Sequence, residues 1–214
     1  MSAPLVGTPG TEPPLSFDDI PGWFDFQEIY SRAVRDAPND GSAHFVEVGA
    51  AYGKSAAYMA WQIRVSGKRI RFDAVDTWEQ MYGSPEDLEY GRRFGGGSAK
   101  GAFMYSLRVR GLDGFVRPLQ MHSVAAASQY ADNSLDFVFI DGDHSLAGVT
   151  ADIAAYFPKV KAGGILAGHD YHADGYQVKE AVNEYFKWRT FTAEGSCWWH
   201  RKIFRGKSLW GEEL

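Results

Sequence analysis

The chain has 214 residues, of which 45% are apolar and 23% charged, with a formal net charge of −5 and a single cysteine. That length and composition suit one soluble globular domain with a full core. The acidic balance, with Lys and Arg scattered, excludes a nucleic-acid surface, and a lone Cys197 excludes an internal disulfide.

The first 16 or so residues are rich in Pro, Gly, Ser and Thr, and an arm of residues 1–22 is expected to be flexible, leaving 23–214 as one domain. The arm has neither the basic stretch nor the apolar core of a secretion signal. No apolar run approaches a membrane span, so a cytoplasmic protein is expected. Apolar spacing predicts a helix over Trp23 to Ala37, then a turn at PNDGS and a buried strand over His44 to Val48. A glycine turn follows, then a helix from about Gly53 to Val65 and a strand from Ile70 to Val75 that ends in Asp76. Residues 78–98 read as irregular and mobile and, with the first 22, are the candidates for a substrate lid. Further on come a helix (Ala99 to Val109), a strand (Phe115 to Leu119), a helix (Val124 to Tyr130) and the strand LDFVFI ending in Asp141. Leu146, Val149, Ile153, Tyr156, Phe157 and Val160 mark one face of the next helix. Gly163-Gly164 reads as a turn into the strand Ile165 to Ala167, Tyr176 to Lys187 as a helix, and TFTAEGSCWWHRKIF as a hairpin turning at Gly195.

Alternating strands and helices with continuous apolar strands predict an α/β fold. The expected form is a doubly wound, mostly parallel seven-stranded sheet with helices on both faces and a C-terminal antiparallel hairpin. Ligands bind such sheets at the carboxyl ends of the strands. Those ends read Glu47-Val48-Gly49, Asp76-Thr77-Trp78, Met121-His122-Ser123, Asp141-Gly142-Asp143-His144 and His169-Asp170-Tyr171. Four of the five carry a carboxylate, and converging carboxylates repel unless something positive lies between them.

The turn EVGAAYGKS is not a phosphate loop. Only Ala50, Ala51 and Tyr52 separate its glycines, where that motif needs four residues before Gly-Lys. Asp76 follows by one helix and one strand, where an acid can take both hydroxyls of a ribose. Glu47, two residues before the first glycine, disfavours a pyrophosphate but suits a sulfonium or ammonium group. Together they favour S-adenosylmethionine.

VEVGAAYGKS, AVDTW, LDFVFIDGDHS and PKVKAGGILAGHDY resemble a class I S-adenosylmethionine-dependent methyltransferase. The nearest likeness is to a small bacterial group with IDGDH and GHDY signatures, similar to metal-dependent O-methyltransferases of sugars, antibiotics and catechols. The resemblance runs from about Phe45 to Tyr171 and on to the hairpin. It implies a cofactor loop of Glu47, Gly49, Ala50, Tyr52, Gly53 and Ser55, with Asp76 on the ribose. Thr77, Trp78 and Ser123 would lie toward the adenine, and Asp141 would also line the cofactor site. It implies a divalent metal, Mg²⁺ or another, on Asp141, His169 and Asp170. His169 stands where relatives carry an acid or amide, which shifts the preference toward Mn²⁺, Fe²⁺ or Zn²⁺. Asp143 and His144 are the candidate general bases, with Asp143 preferred. The expected partner is a small-molecule acceptor, a sugar or secondary-metabolite hydroxyl, with neither nucleic acid nor membrane; a homo-oligomer is left open. The competing readings are a nicotinamide-dependent sugar oxidoreductase, a nucleotide-triphosphate enzyme and a non-catalytic cofactor-binding domain. The dehydrogenase reading lacks its Tyr-x-x-x-Lys pair, because Tyr176 and Lys179 stand one residue too close.

Overall fold

The computed structural model describes residues 15–81 and 83–203. Seven strands form one sheet: β1 (Ala43–Val48), β2 (Ile70–Asp76), β3 (Arg117–Gln120), β4 (Leu135–Ile140), β5 (Val160–Gly168), β6 (Thr192–Glu194) and β7 (Cys197–Arg201). Their order is β3-β2-β1-β4-β5-β7-β6. The first five are parallel, and β7 runs antiparallel to both β5 and β6. The expected doubly wound fold is present. The chain leaves β1 toward β2 on one side and β4 on the other, so the switch point lies over the end of β1.

Period-two alternation sorts the side chains of the central strands to two faces. Phe45, Phe137 and Phe139 join one core with residues of α1 (Gln27–Asp36), α2 (Lys54–Ser66) and α4 (Ala99–Arg108). Val46, Val48, Val138 and Ile140 join the other with α5 (Ser123–Ala127), α6 (Leu146–Tyr156) and α7 (Val178–Tyr185). Every residue of β1 is buried, as a central strand covered on both faces requires.

Several boundaries differ from expectation. Within 78–98, taken as irregular, α3 (Pro85–Gly95) forms. Ser84 caps it, accepting from the Asp87 N–H while the Asp87 carboxylate accepts from the Ser84 N–H, and Pro85 pre-sets the first turn. Asp113–Phe115 is a 3₁₀ turn, so β3 starts two residues later than predicted. The helix expected to reach Val160 ends at Tyr156, and a 3₁₀ turn carrying Pro158 leads into β5. Gly163 and Gly164 lie inside β5, where its register against β4 shifts; their missing side chains admit the irregularity. The first helix starts at Gln27 rather than Trp23.

Residues 1–14 of the expected arm lie outside the described residues. In the remainder, Ile20 is fully buried, Phe17 packs on Tyr58 and Trp61, and the Ser16 carbonyl accepts from Arg110 at 2.5 Å. No helix among the described residues is long and apolar enough to cross a membrane.

Candidate active site

The ends of all five parallel strands border one cleft of about 1010 Å³. Its floor is the glycine turn. Gly49 has φ of +87°, and a Cβ there would lie 1.9 Å from the Asp141 carbonyl oxygen. Only glycine lets β1 and β4 end this close together. The Gly49 N–H donates to the Val75 carbonyl and the Asp141 N–H to the Val48 carbonyl, both at 2.8 Å.

Asp76 ties the turn to the end of β2. Its Oδ2 accepts from the N–H groups of Ala50 (3.0 Å) and Ala51 (2.9 Å), and its Oδ1 accepts from Trp78 N–H (2.8 Å). Ala51 is held at a positive φ of +45°. Trp78 returns the link, donating from Nε1 to the Ala51 carbonyl at 2.8 Å while its ring packs against Phe103.

Of the residues expected at the cofactor, Gly49, Ala50, Ser55, Asp76, Thr77, Ser123 and Asp141 line the cleft. Glu47, Tyr52, Gly53 and Trp78 stand behind that wall, with Glu47, Tyr52 and Trp78 buried. Burial pushes the Glu47 carboxyl up to about 8, although the Ser55 hydroxyl donates to Oε1 and eases it; Asp141 and Asp76 raise it further. That shift works against the ionised form on which the expected pull on a sulfonium depends. Glu47 instead anchors Ser55 in the first turn of α2.

Across the cleft lies an acid–imidazole cluster. Asp141 and His144 come from the end of β4, and His169 and Asp170 from the end of β5, with Asp170 at φ of +57°. His144 Nε2 lies 3.0 Å from Asp170 Oδ2 and 3.4 Å from Asp141 Oδ1. Its ring stacks on Tyr176, with centroids 4.4 Å apart. Ligand atoms of Asp141, His144 and Asp170 all fall within 4.8 Å of one another.

Of the residues expected at a metal, Asp141 and Asp170 share this cluster, and His169 stands behind it. His169 is buried, its Nε2 is turned to Asp25 Oδ1 at 2.9 Å, and Ser196 donates to the same oxygen at 2.7 Å. Its Nδ1 lies 3.3 Å from Asp170 Oδ1 and 3.5 Å from Asp141 Oδ1. His169 backs the cluster, and His144 faces it. Hydrogen bonds to the Asp141 and Asp170 carboxylates raise His144 to about 9. Burial opposes charge on His169, yet the same two carboxylates outweigh it and hold that group at about 10. The two imidazoliums hold the Asp170 carboxyl well below the usual carboxylate range despite burial.

Asp143, the preferred base from sequence, is exposed and accepts from the Ser145 N–H at 2.9 Å, shaping the entry to α6. Among the described residues none from 79–98 lines the cleft, whereas Trp23 and Asp25 do. Lys54, Asp25 and Asp152 are among the lining residues that escaped the sequence reading. Asp152 had a signal, since it interrupts the apolar stripe of Val149, Ile153 and Tyr156. Asp25 had none, because nothing local ties it to a strand end 144 residues away.

The fold recurs in known structures. A protein from Corynebacterium glutamicum superposes with TM-score 0.60 at 15% identity, over 89% of this chain and 87% of that one. The O-methyltransferase NovP superposes with TM-score 0.61 at 19% identity, over 83% and 79%. MycE, a methyltransferase of mycinamycin biosynthesis in complex with Mg, SAH and mycinamycin VI, gives 0.52 at 17%, over 82% of this chain and 48% of its own. No curated protein sequence matches the chain. The family described as "Methyltransferase domain" matches residues 46–171, a span running from the middle of β1 past the acid–imidazole cluster. With the glycine turn, the strand-end acids and the carboxyl ends of the five parallel strands all inside that span, the chain belongs to the methyltransferase-domain family.

Proposed function

We propose that the protein transfers a methyl group from S-adenosylmethionine to a hydroxyl of a sugar or natural-product acceptor, with a divalent cation held by Asp141 and Asp170. The observation that carries this reading is the cleft's division. A glycine turn tied down by Asp76 borders one side, and a cluster of two carboxylates and an imidazole borders the other. The printed identities of NovP as an O-methyltransferase, and of MycE with Mg and SAH, support it.

The residues fit both groups. Gly49, Ala50 and Ala51 present open backbone to the cleft, Asp76 stands at the ribose position, and Thr77 and Ser123 flank the space beyond it. Two carboxylates within reach of each other suit a hard cation such as Mg²⁺. When bound, S-adenosylmethionine supplies an activated methyl group, and the cation orients the acceptor oxygen and makes its proton easier to remove. The chain's own work is positioning and proton removal. Once a cation replaces the imidazolium charge between Asp141 and Asp170, the neutral His144 would take the acceptor proton on Nε2: its ring is fixed by Tyr176 and aimed at the cluster, whereas Asp143 is committed to Ser145. Trp23 and Tyr176, both exposed aromatics on the cleft wall, offer flat faces to the acceptor.

Thermal-shift measurements with S-adenosylmethionine, NAD and ATP test the cofactor: only the first raises the melting temperature under this reading. For the base, His144→Asn lowers the single-turnover rate by about 10²–10⁴ while leaving S-adenosylhomocysteine affinity intact. Mn²⁺ affinity, read by calorimetry, stays within a few-fold of the parent in that variant. A large loss of Mn²⁺ binding instead makes His144 a ligand.

A further inference from the structure

The residues just before α1 have no regular structure, yet two of them grip a side chain at the end of β5. Asp25 Oδ1 accepts from His169 Nε2 at 2.9 Å and from the Ser196 hydroxyl at 2.7 Å. Phe26 packs its ring on the same imidazole, with centroids 4.9 Å apart, and stacks on Phe139 of β4 at 4.5 Å. Both Phe26 and His169 are buried. The imidazole is thereby oriented, with Nε2 toward Asp25 and Nδ1 toward the cluster. Nδ1 lies 3.3 Å from Asp170 Oδ1 and 3.5 Å from Asp141 Oδ1. One ring nitrogen thus reaches both carboxylates to which the reading above gives a cation. Asp170 needs such support: it is a non-glycine residue at φ of +57°, a conformation that persists where the surroundings over-determine it.

We propose that Asp25 is a positioning residue for the cation site and acts through His169: it turns the imidazole so that Nδ1 keeps the Asp141 and Asp170 carboxylates together. Groups behind the ligands of a metal site set its affinity by fixing the ligands before the ion arrives. Asp25 belongs to the same segment as Trp23, which lines the cleft, so the cation site is complete only when the segment before α1 is seated. The coupling is reciprocal: whatever the seated segment adds to cation affinity, a bound cation adds to the seating of the segment. The inference rests on the cation reading given above.

Calorimetry with Mn²⁺ and with S-adenosylhomocysteine, on the wild type, Asp25→Ala, His169→Asn and the double variant, tests it. Asp25→Ala lowers Mn²⁺ affinity about 10–100-fold, the range for losing a group behind a metal ligand, and leaves S-adenosylhomocysteine within a few-fold of the wild type. In the His169→Asn background the Asp25 substitution has no further effect, because the ring it acts through is gone. A structural role alone weakens both ligands together, by the same factor with or without His169. Unchanged Mn²⁺ affinity in folded Asp25→Ala, an equal loss for both ligands, or an equal loss in both backgrounds overturns the proposal. Hydrogen exchange in the wild type decides the matter even where a variant fails to fold. Mn²⁺ slows exchange across residues 17–26, where the Ile20 N–H donates to the Phe17 carbonyl at 3.0 Å, and unchanged exchange there also overturns the proposal. If the wild type binds no Mn²⁺, the cation reading itself fails and takes this assignment with it, a result distinct from Mn²⁺ binding that ignores Asp25.

Discussion

Asp76 accepts three backbone N–H groups, so its carboxylate shapes the glycine turn, and on the proposed reading it also holds the ribose. Replacing it with Ala takes the acceptor away from the N–H groups of the turn as well as from the ligand's hydroxyls. Asp76→Ala should weaken S-adenosylhomocysteine by about 1.5–3 kcal/mol, the scale of hydrogen bonds to a charged group. Equal affinity in calorimetry would remove Asp76 from the site. Gly49 is the sharper steric case. Its φ of +87° alone disfavours a side chain, and a Cβ would sit 1.9 Å from a backbone oxygen that cannot move without shifting β4. Gly49→Ala is therefore expected to lower stability by more than the roughly 1–3 kcal/mol of local backbone strain, read as a fall in the urea midpoint.

At the scale of elements, the helices around the cleft owe their limits to side chains at their ends more than to their apolar stripes. The reciprocal Ser84–Asp87 pair starts α3 in a segment whose glycine-rich, charged sequence resembles a loop. Ser84→Ala should cost about 1 kcal/mol, felt locally. Hydrogen exchange should show faster exchange in the first turn of α3 with β1 and β4 unchanged; uniform protection would mean the cap contributes nothing. The segment before α1 behaves in the opposite way. It has no regular structure, but Ile20 is fully buried against the α1–α2 face of the sheet, and Asp25 reaches His169 at the end of β5. Ile20→Ala should destabilise the whole domain by about 2–5 kcal/mol, as a core truncation does, and a change near zero in chemical denaturation would place Ile20 outside the core.

For the whole molecule, the sheet separates chemistry from acid stability. The cleft occupies the carboxyl ends of the strands, while buried Asp73, His44 and Tyr130 form a network with the exposed Arg117 at the start of β3. Asp73 Oδ2 lies 2.8 Å from His44 Nε2, 2.6 Å from Arg117 Nη2 and 2.9 Å from the Tyr130 hydroxyl. Burial alone would raise the Asp73 carboxyl; these contacts outweigh it and bring it down to about 2. A carboxyl whose pKa is lowered on folding adds stability that is complete above the unfolded value, about 3.9, and is lost as pH falls toward the folded value. The network should thus contribute about 2 kcal/mol at neutral pH and lose it between roughly pH 4 and pH 2. Urea unfolding of the wild type and of Asp73→Asn, at pH 5 and at pH 2.5, should show a stability gap that narrows in acid. A gap independent of pH would mean that Asp73 is not the titrating group.

What the sequence determined by itself was the order of strands and helices and the acids at the strand ends. Strand runs such as LDFVFI and the turn EVGAAYG are local signals: burial on two faces demands continuous apolar residues, and close backbone approach demands glycine. The doubly wound sheet and the placing of Asp76, Asp141 and Asp170 on one rim follow from those signals. Only tertiary structure decided which way the side chains at that rim face. His169 and His144 both stand beside acids in the chain, but Asp25, far off in sequence, draws His169 behind the cluster and leaves His144 to face it. Glu47 carries a charge on paper, and burial, which depends on every element packed over β1, pushes its carboxyl up and works against that charge. Asp152 reads as a flaw in an apolar stripe until α6 is laid beside Ser123 and the cleft. Orientation and desolvation arise from contacts between distant segments, and those contacts exist only once the sheet has brought the segments together.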